Sequence, residues 1–289
     1  MLDAINNPKS LLFFLLAFCM MPVNWLLETF KWYLLLKQDA AISFKKCMVA
    51  VLGGLALSMN TPNRIGEFFG RILYLEKENR FSGINYSIIS GLSQLLMTLM
   101  AGWIALYYLT IFNPLTINLS GLANWIFLPI LRWVLLFIIL MIVVVYFYYA
   151  SVVRFLGIKR LLSRFSFFNP HIPDISHRLL FHILLISILR FVIFTTQYIL
   201  IWKAFGLTFG YIQGGAIVSV IYLVMAIIPT ITIAELGIRG KVALLIAGLF
   251  TNQLLEITAG TVMIWILNLM LPAIAGTFFL WNLKWRHKP

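Results

Sequence analysis

The chain has 289 residues, of which 62% are hydrophobic and 11% charged, against roughly a quarter charged in soluble globular proteins. That balance excludes a water-soluble fold, because too few polar side chains exist to clothe a domain of this length, and the packing problem becomes one of helices in lipid. The formal charge of +13, from 22 Lys and Arg against 9 Asp and Glu, gathers at the ends of apolar runs, where the positive-inside bias and anionic headgroups hold basic residues, so no nucleic acid is expected as a partner.

A helix needs about 20 residues to cross the hydrocarbon core, and apolar length predicts five full spans. The first, Leu11 to Leu36, runs into a Lys/Trp/Tyr boundary instead of a small-residue cleavage site and is expected to be retained. Glu28 and Lys31 lie three apart near its end and are expected to pair locally. Cys47 to Met59 is too short to cross comfortably. It leads into Asn60-Thr-Pro-Asn-Arg-Ile-Gly-Glu-Phe-Phe-Gly-Arg71, and then into the span Gly83 to Thr110, which carries Gln94. An uncharged connection, Ile111 to Trp125, precedes the span Trp133 to Val153. From Val152 to Phe168, Arg154, Lys159, Arg160 and Arg164 alternate with Phe and Leu, a pattern that fits either a helix in the inner headgroup plane or a solvated basic loop.

The fourth span, Leu179 to Trp202, carries Arg190 near its middle, and an arginine there must be paired or face a cavity. Ala204 to Ala234 is uncharged but interrupted by glycines and Pro229, the usual signature of a broken or re-entrant helix. Glu235-Leu-Gly-Ile-Arg239 follows, and the last span, Ile257 to Leu283, contains Asn268 and a kink or close-packing signal at Pro272 and Gly276. The basic residues of the central connection and Lys284, Arg286 and Lys288 at the end are expected on the cytoplasmic side of the cell membrane. Cys19, Cys47, His171, His177 and His182 have no metal-ligand spacing.

Two segments repeat. Glu67 and Arg71 are followed 168 residues later by Glu235 and Arg239, each pair after a proline and a short apolar stretch. Four residues apart on a helix, acid and base share one face and bring little net charge into lipid. The expected fold is an all-α polytopic transmembrane bundle, one integral membrane domain over 1–289. It has two inverted related halves, about 11–110 and 179–283, with broken or re-entrant helices, and 124–178 inserted between them. Candidate headgroup-binding residues are Arg64, Glu67, Arg71, Gln94, Arg190, Glu235, Arg239 and Asn268, in a site suited to a phosphate or another zwitterionic headgroup, with Arg71 and Arg239 binding bidentately. Gln94 and Asn268 also suit hydrogen bonding between helices.

At Asn60 to Arg71, Glu235 to Arg239 and Trp265 to Gly276, the sequence resembles the flippase-like transmembrane region of lysylphosphatidylglycerol synthases, with a likeness that extends from about Asn24 to Trp281. The resemblance implies a polytopic domain that moves a phospholipid or isoprenoid-linked lipid between leaflets. Ser93 and Gln94 stand where other members often carry a Glu-Arg pair, and Arg239, Gly240, Lys241 where they often read Arg-Glu. Synthase activity is not expected, since the sequence stops at Pro289 without the soluble aminoacyl-transferase domain. No phosphate-cradling Gly-x-x-x-x-Gly-Lys-Ser/Thr stretch occurs, and no cofactor is expected. Two other functions stay open at the level of sequence: a membrane enzyme acting on a lipid phosphate, with Glu67 or Glu235 as base, and a non-transporting subunit of a cell-envelope lipid synthesis complex. Membrane lipids are the expected partners, and a homodimer or a partner enzyme is left undecided.

Overall fold

A computed structural model describes residues 7–59, 61–62, 64–112, 128–156 and 172–286. Most of the uncharged connection after Ile111, and the alternating basic segment beyond Leu156, lie outside the described residues. The rest is helical: α1 (Pro8–Leu36), α2 (Phe44–Ser58), α3 (Ile65–Ile72), α4 (Arg80–Phe112), α5 (Leu128–Phe147), α6 (Tyr149–Phe155), α7 (His177–Ala204), α8 (Tyr211–Ile227), α9 (Thr232–Ala247), α10 (Leu254–Trp265) and α11 (Leu271–Arg286), with a π-helical turn, Ile266–Met270, joining the last two. Among the described residues, five helical stretches are long and apolar enough to cross a membrane: Pro8–Leu36, Lys77–Phe112, Leu128–Phe147, His177–Ala204 and Leu254–Trp281. The expected all-α polytopic bundle is the observed one. Its outer faces are apolar and exposed, as at Leu15, Phe137, Leu189 and Phe278, which identifies lipid and not water as the surrounding solvent.

Both ends of the third span differ from expectation, for it begins at Leu128 and not at Trp133. The third span ends at Phe147, and the chain resumes as α6 after Tyr148, which leaves helical geometry at φ −111° and ψ 28°. No proline or glycine marks this break. Tertiary hydrogen bonds bracket it: Tyr146 donates to the Leu180 carbonyl at 2.7 Å and Tyr149 to Asn85 Oδ1 at 2.7 Å.

The interrupted segments are two helical hairpins. In the first, α2 and α3 pack against each other so closely that a Cβ on Gly70 would lie 2.4 Å from the Gly54 Cα, and one on Gly66 2.5 Å from the Leu57 carbonyl oxygen. Only glycine permits that approach of two backbones. In the second, Pro229 stops α8 by forcing the residue before it, Ile228, into extended geometry (φ −85°, ψ 113°). The two breaks meet, for Pro62 and Ile231 form an isolated antiparallel bridge.

Packing repeats between the halves with partners exchanged. Helix α11 packs on α2 as α4 packs on α8, while α1 packs on α7. One apolar core, around Trp32, Leu35 and Ile89, is completed by Trp265, Leu269 and Ala273 from the end of the chain. A second, around Trp202, Ile217 and Ile264, is completed by Ala105 and Leu109 of α4. Even the tight contacts correspond: a Cβ on Gly276 would meet the Leu52 carbonyl oxygen of α2 at 2.0 Å, and one on Gly102 the Leu223 Cβ of α8 at 2.5 Å. Gly276→Ala is therefore expected to destabilise the protein by about 1–3 kcal/mol, since a backbone carbonyl cannot swing aside. Thermal unfolding in detergent reads this, with Gly91→Ala, where a Cβ meets nothing within 4 Å, as a control that should lose no stability.

Candidate functional site

Ionised side chains inside a lipid-embedded bundle are costly unless paired and hydrogen-bonded, so the buried polar residues of the long helices must find one another. They converge on Glu28 of α1. Its Oε1 accepts from Arg71 Nη2 at 2.8 Å and from Ser90 Oγ at 3.3 Å, while its Oε2 accepts from Arg190 Nη1 at 2.7 Å and lies 3.1 Å from Lys31 Nζ. Lys31 donates further to the Ser90 carbonyl at 3.3 Å and to Ser187 Oγ at 3.1 Å. Arg71, 2% exposed, also pairs with Glu67, its neighbour one turn back on α3. A chain of amides continues from the hub. Arg190 Nε donates to Asn24 Oδ1 at 2.7 Å, Asn24 Nδ2 to Asn268 Oδ1 at 3.4 Å, and Asn268 Nδ2 to Gln197 Oε1 at 2.9 Å.

Asn268 sits in the π-helical turn. Pro272, four residues on, has no N–H to offer the Asn268 carbonyl, and the widened turn absorbs that missing hydrogen bond. Such turns are frequent at functional sites, and this one puts a side-chain amide between Asn24 and Gln197.

Beside this network lies a cavity of about 170 Å³ whose wall includes Trp25, Arg64, Gln94, Arg190, Arg239 and Asn268. It adjoins a second, of about 380 Å³, which shares Arg64, Thr98, Tyr222 and Arg239 and adds Glu235 and the backbone break at Pro229. Arg64 precedes α3 in the left-handed region at φ 57°, the one non-glycine residue with positive φ among the described residues. A non-glycine side chain held there is strained by about 1–2 kcal/mol, and Arg64 lines both cavities.

Six of the eight candidates from sequence line this joined chamber: Arg64, Gln94, Arg190, Glu235, Arg239 and Asn268. Glu67 and Arg71 do not. The two repeated Glu-Arg pairs both form, at Glu67–Arg71 and Glu235–Arg239, yet their arginines part company: Arg239 reaches the chamber, whereas Arg71 is held behind it by two carboxylates and Arg64 takes its place on the wall. Arg190 pairs with Glu28 and with neither repeated glutamate among the described ion pairs. The Glu28–Lys31 pair is local as expected, but it is also the hub that Arg71 and Arg190 join. Sequence reasoning passed over Glu28, Asn24 and Gln197 as part of the site. The available signal was an acid within an apolar span and an asparagine four residues before it.

Charge in the assembly is unbalanced. Lys31, Arg64, Arg71, Arg190 and Arg239 face Glu28, Glu67 and Glu235, leaving two positive charges in excess. Donors are also left over: Arg64 Nε, Arg239 Nε and Tyr222 Oη are buried with no hydrogen-bond partner among the described residues. A cationic, donor-rich chamber with aromatic walls, sunk in an apolar bundle, is equipped to hold an anion that carries its own acceptors.

No curated protein matched the chain. The family profile described as the lysylphosphatidylglycerol synthase TM region matches residues 3–276, which takes in both hairpins, the glutamate hub and the chamber. On that match, over a bundle of five long apolar helices, the chain belongs to the family of the lysylphosphatidylglycerol synthase transmembrane region, an integral membrane protein related to lipid handling.

Proposed function

We propose that the protein moves a phospholipid or isoprenoid-linked lipid between leaflets without altering it. The observation that carries this is that Arg64, Arg190 and Arg239, drawn from both halves of the chain, line one chamber beside the point where the two hairpin breaks touch. Where two broken helical segments meet inside a bundle, a polar headgroup finds its lipid-side barrier shortest, because irregular backbone is tolerated at that depth only around a cavity. With five long spans and two hairpins that each turn back, the halves enter the membrane from opposite sides. The basic connection around Arg154 and Arg178 supports a cytoplasmic location for it and for the C-terminus, in the cell membrane.

Catalysis on the lipid is not part of the proposal: Glu28, Glu67 and Glu235 are all engaged with cations, and a carboxylate so engaged is a poor general base. Energy comes from a gradient or from the lipid asymmetry itself. The test is leaflet exchange of fluorescent lipids in vesicles, read by quenching the outer leaflet with an impermeant reductant. Vesicles holding the folded protein are expected to lose the protected half of the signal at least tenfold faster than empty ones, and equal rates with every lipid tried would end the proposal.

A further inference from the structure

We infer that Lys31 is a proton site worked by the transport cycle: it gains a proton as a headgroup enters the chamber and gives it up as the headgroup leaves, so that lipid and proton cross together. This rests on the lipid-carrying role proposed above and names its source of energy.

The first observation is the charge of the glutamate hub. Lys31 has no exposed surface. The charged groups that face it among the described residues are Glu28 on its own helix, Arg71 from α3 and Arg190 from α7, with Glu67 behind Arg71 as that arginine's second carboxylate. Three cations therefore share two carboxylates, and one positive charge is in excess where an unbalanced charge is costly. Guanidinium groups do not give up protons in proteins, and protonating a carboxylate would deepen the imbalance. Lys31 is the member of the hub that can remove the excess. Without its proton, Arg71 and Arg190 face Glu28 and Glu67 in balance.

The second observation is the set of groups around Nζ. An ammonium only donates, whereas a neutral amine also has a lone pair to satisfy. Lys31 Nζ meets Glu28 Oε2 at 3.1 Å, the Ser90 carbonyl at 3.3 Å and Ser187 Oγ at 3.1 Å. The first two can only accept. The third can turn round, because Ser187 Oγ lies 2.8 Å from Ser93 Oγ in a pair where either hydroxyl can donate, and Ser93 has the Ser90 carbonyl at 2.7 Å as its other acceptor. With the ammonium present, Ser187 accepts from Lys31 and donates to Ser93. With the amine, Ser187 donates to Nζ and Ser93 to the Ser90 carbonyl. Neither state leaves a buried donor or acceptor of this group unmet. The same hydroxyls carry the proton out. It passes from Nζ to Ser187 Oγ as the Ser187 proton moves to Ser93 Oγ and the Ser93 proton to a water admitted from the chamber, whose wall includes the next residue, Gln94. The electron pair of the broken N–H bond stays on Nζ, and the water leaves as hydronium.

The third observation joins this group to the cargo. The oxygen of Glu28 that holds Lys31 also accepts from Arg190 Nη1 at 2.7 Å, and Arg190 stands on the chamber wall. The phosphate that all phospholipids share draws on the Arg190 guanidinium and brings negative charge near the hub. Glu28 then depends more on Lys31, and the ammonium is favoured. When the headgroup departs, Arg190 returns to Glu28, the excess charge is felt again and the proton leaves. A pH gradient therefore drives lipid from the acidic side to the alkaline side.

The test uses the purified full chain in vesicles of phosphatidylglycerol and phosphatidylethanolamine, with a fluorescent analogue of each lipid in turn, a pH gradient imposed and the membrane potential clamped by a potassium ionophore. A transported analogue should gather in the leaflet facing the alkaline compartment, by up to about tenfold per pH unit for one proton per lipid, and should even out when the gradient is collapsed. Lys31→Arg fixes the cation and Lys31→Met leaves the hub balanced without it, and both should lose the enrichment. In detergent and weak buffer, the wild type should take up protons as it binds phosphatidylglycerol, and the two variants should not. A wild type whose lipid distribution ignores the gradient overturns the inference and leaves the carrier role standing. Enrichment or proton uptake that survives in either folded variant places the proton elsewhere and overturns it as well. Proton uptake on binding, lost in the variants, together with no leaflet exchange of any lipid, sinks the carrier role and leaves Lys31 as a proton site linked to binding.

Discussion

Glu28→Gln is expected to be the most damaging single substitution in the protein. The glutamate is 4% exposed and is shared by Arg71, Arg190 and Lys31. Glutamine keeps the shape but removes the charge, and its amide presents a donor where a cation already donates. Lys31 loses its carboxylate, Arg190 loses its ion pair, and Arg71 keeps only Glu67. Breaking a buried pair by removing one partner typically costs 3–5 kcal/mol, and here three cations share the loss, so a drop of about 10 °C in the unfolding midpoint is expected. Fluorescence-detected thermal unfolding in detergent measures it. A second substitution tests the cause: Lys31→Met in the same chain removes one stranded cation and should recover part of the lost stability. A Glu28→Gln variant that melts with the wild type would mean that the hub is hydrated and that its charges do not depend on one another.

The second large effect belongs to transport. Arg239→Gln alone strands Glu235, whose side chain is 7% exposed, and confounds folding with function. The double variant Glu235→Gln/Arg239→Gln avoids this, since replacing both members of a buried pair by neutral groups that still hydrogen-bond is close to neutral for stability. It takes one guanidinium from the chamber and leaves the glutamate hub untouched. Its melting temperature should stay within a few degrees of wild type while leaflet exchange of an acidic lipid falls at least tenfold, a loss of about 1.4 kcal/mol in barrier lowering. A normal rate in the double variant would mean that the headgroup does not pass Arg239.

The separation of these two predictions reflects a division of labour between the paired residues. Glu28, Lys31 and Arg71 are withdrawn from both cavities and join α1, α3, α4 and α7. Arg64, Arg190 and Arg239 stand on the cavity wall. Arg190 belongs to both groups, because its Nη1 serves Glu28 and its guanidinium faces Trp25 and Phe194. Arg190 on the cavity wall and Arg71 of the first hairpin thus share one carboxylate.

Much of the architecture was legible in the chain itself. Five apolar runs, the interruption at Pro229, the polar residues inside the spans and two acid-base pairs 168 residues apart were enough to name the bundle, its two broken segments and the four charged residues that line the chamber, Arg64, Arg190, Glu235 and Arg239, because hydropathy and helical spacing are local properties. Local information also explains the failures. The spacing of Glu28 and Lys31 offered a sufficient pairing within one helix, and nothing in it announced partners 43 and 162 residues away in Arg71 and Arg190. The two Glu-Arg motifs are alike in sequence, yet one arginine is captured by Glu28 while the other meets the chamber. That difference is set by what each arginine can reach: Arg71 lies 2.8 Å from Glu28 of α1, and what decides the fate of a buried cation is the nearest charge in space, an interaction that falls with distance and is unscreened in a dry interior.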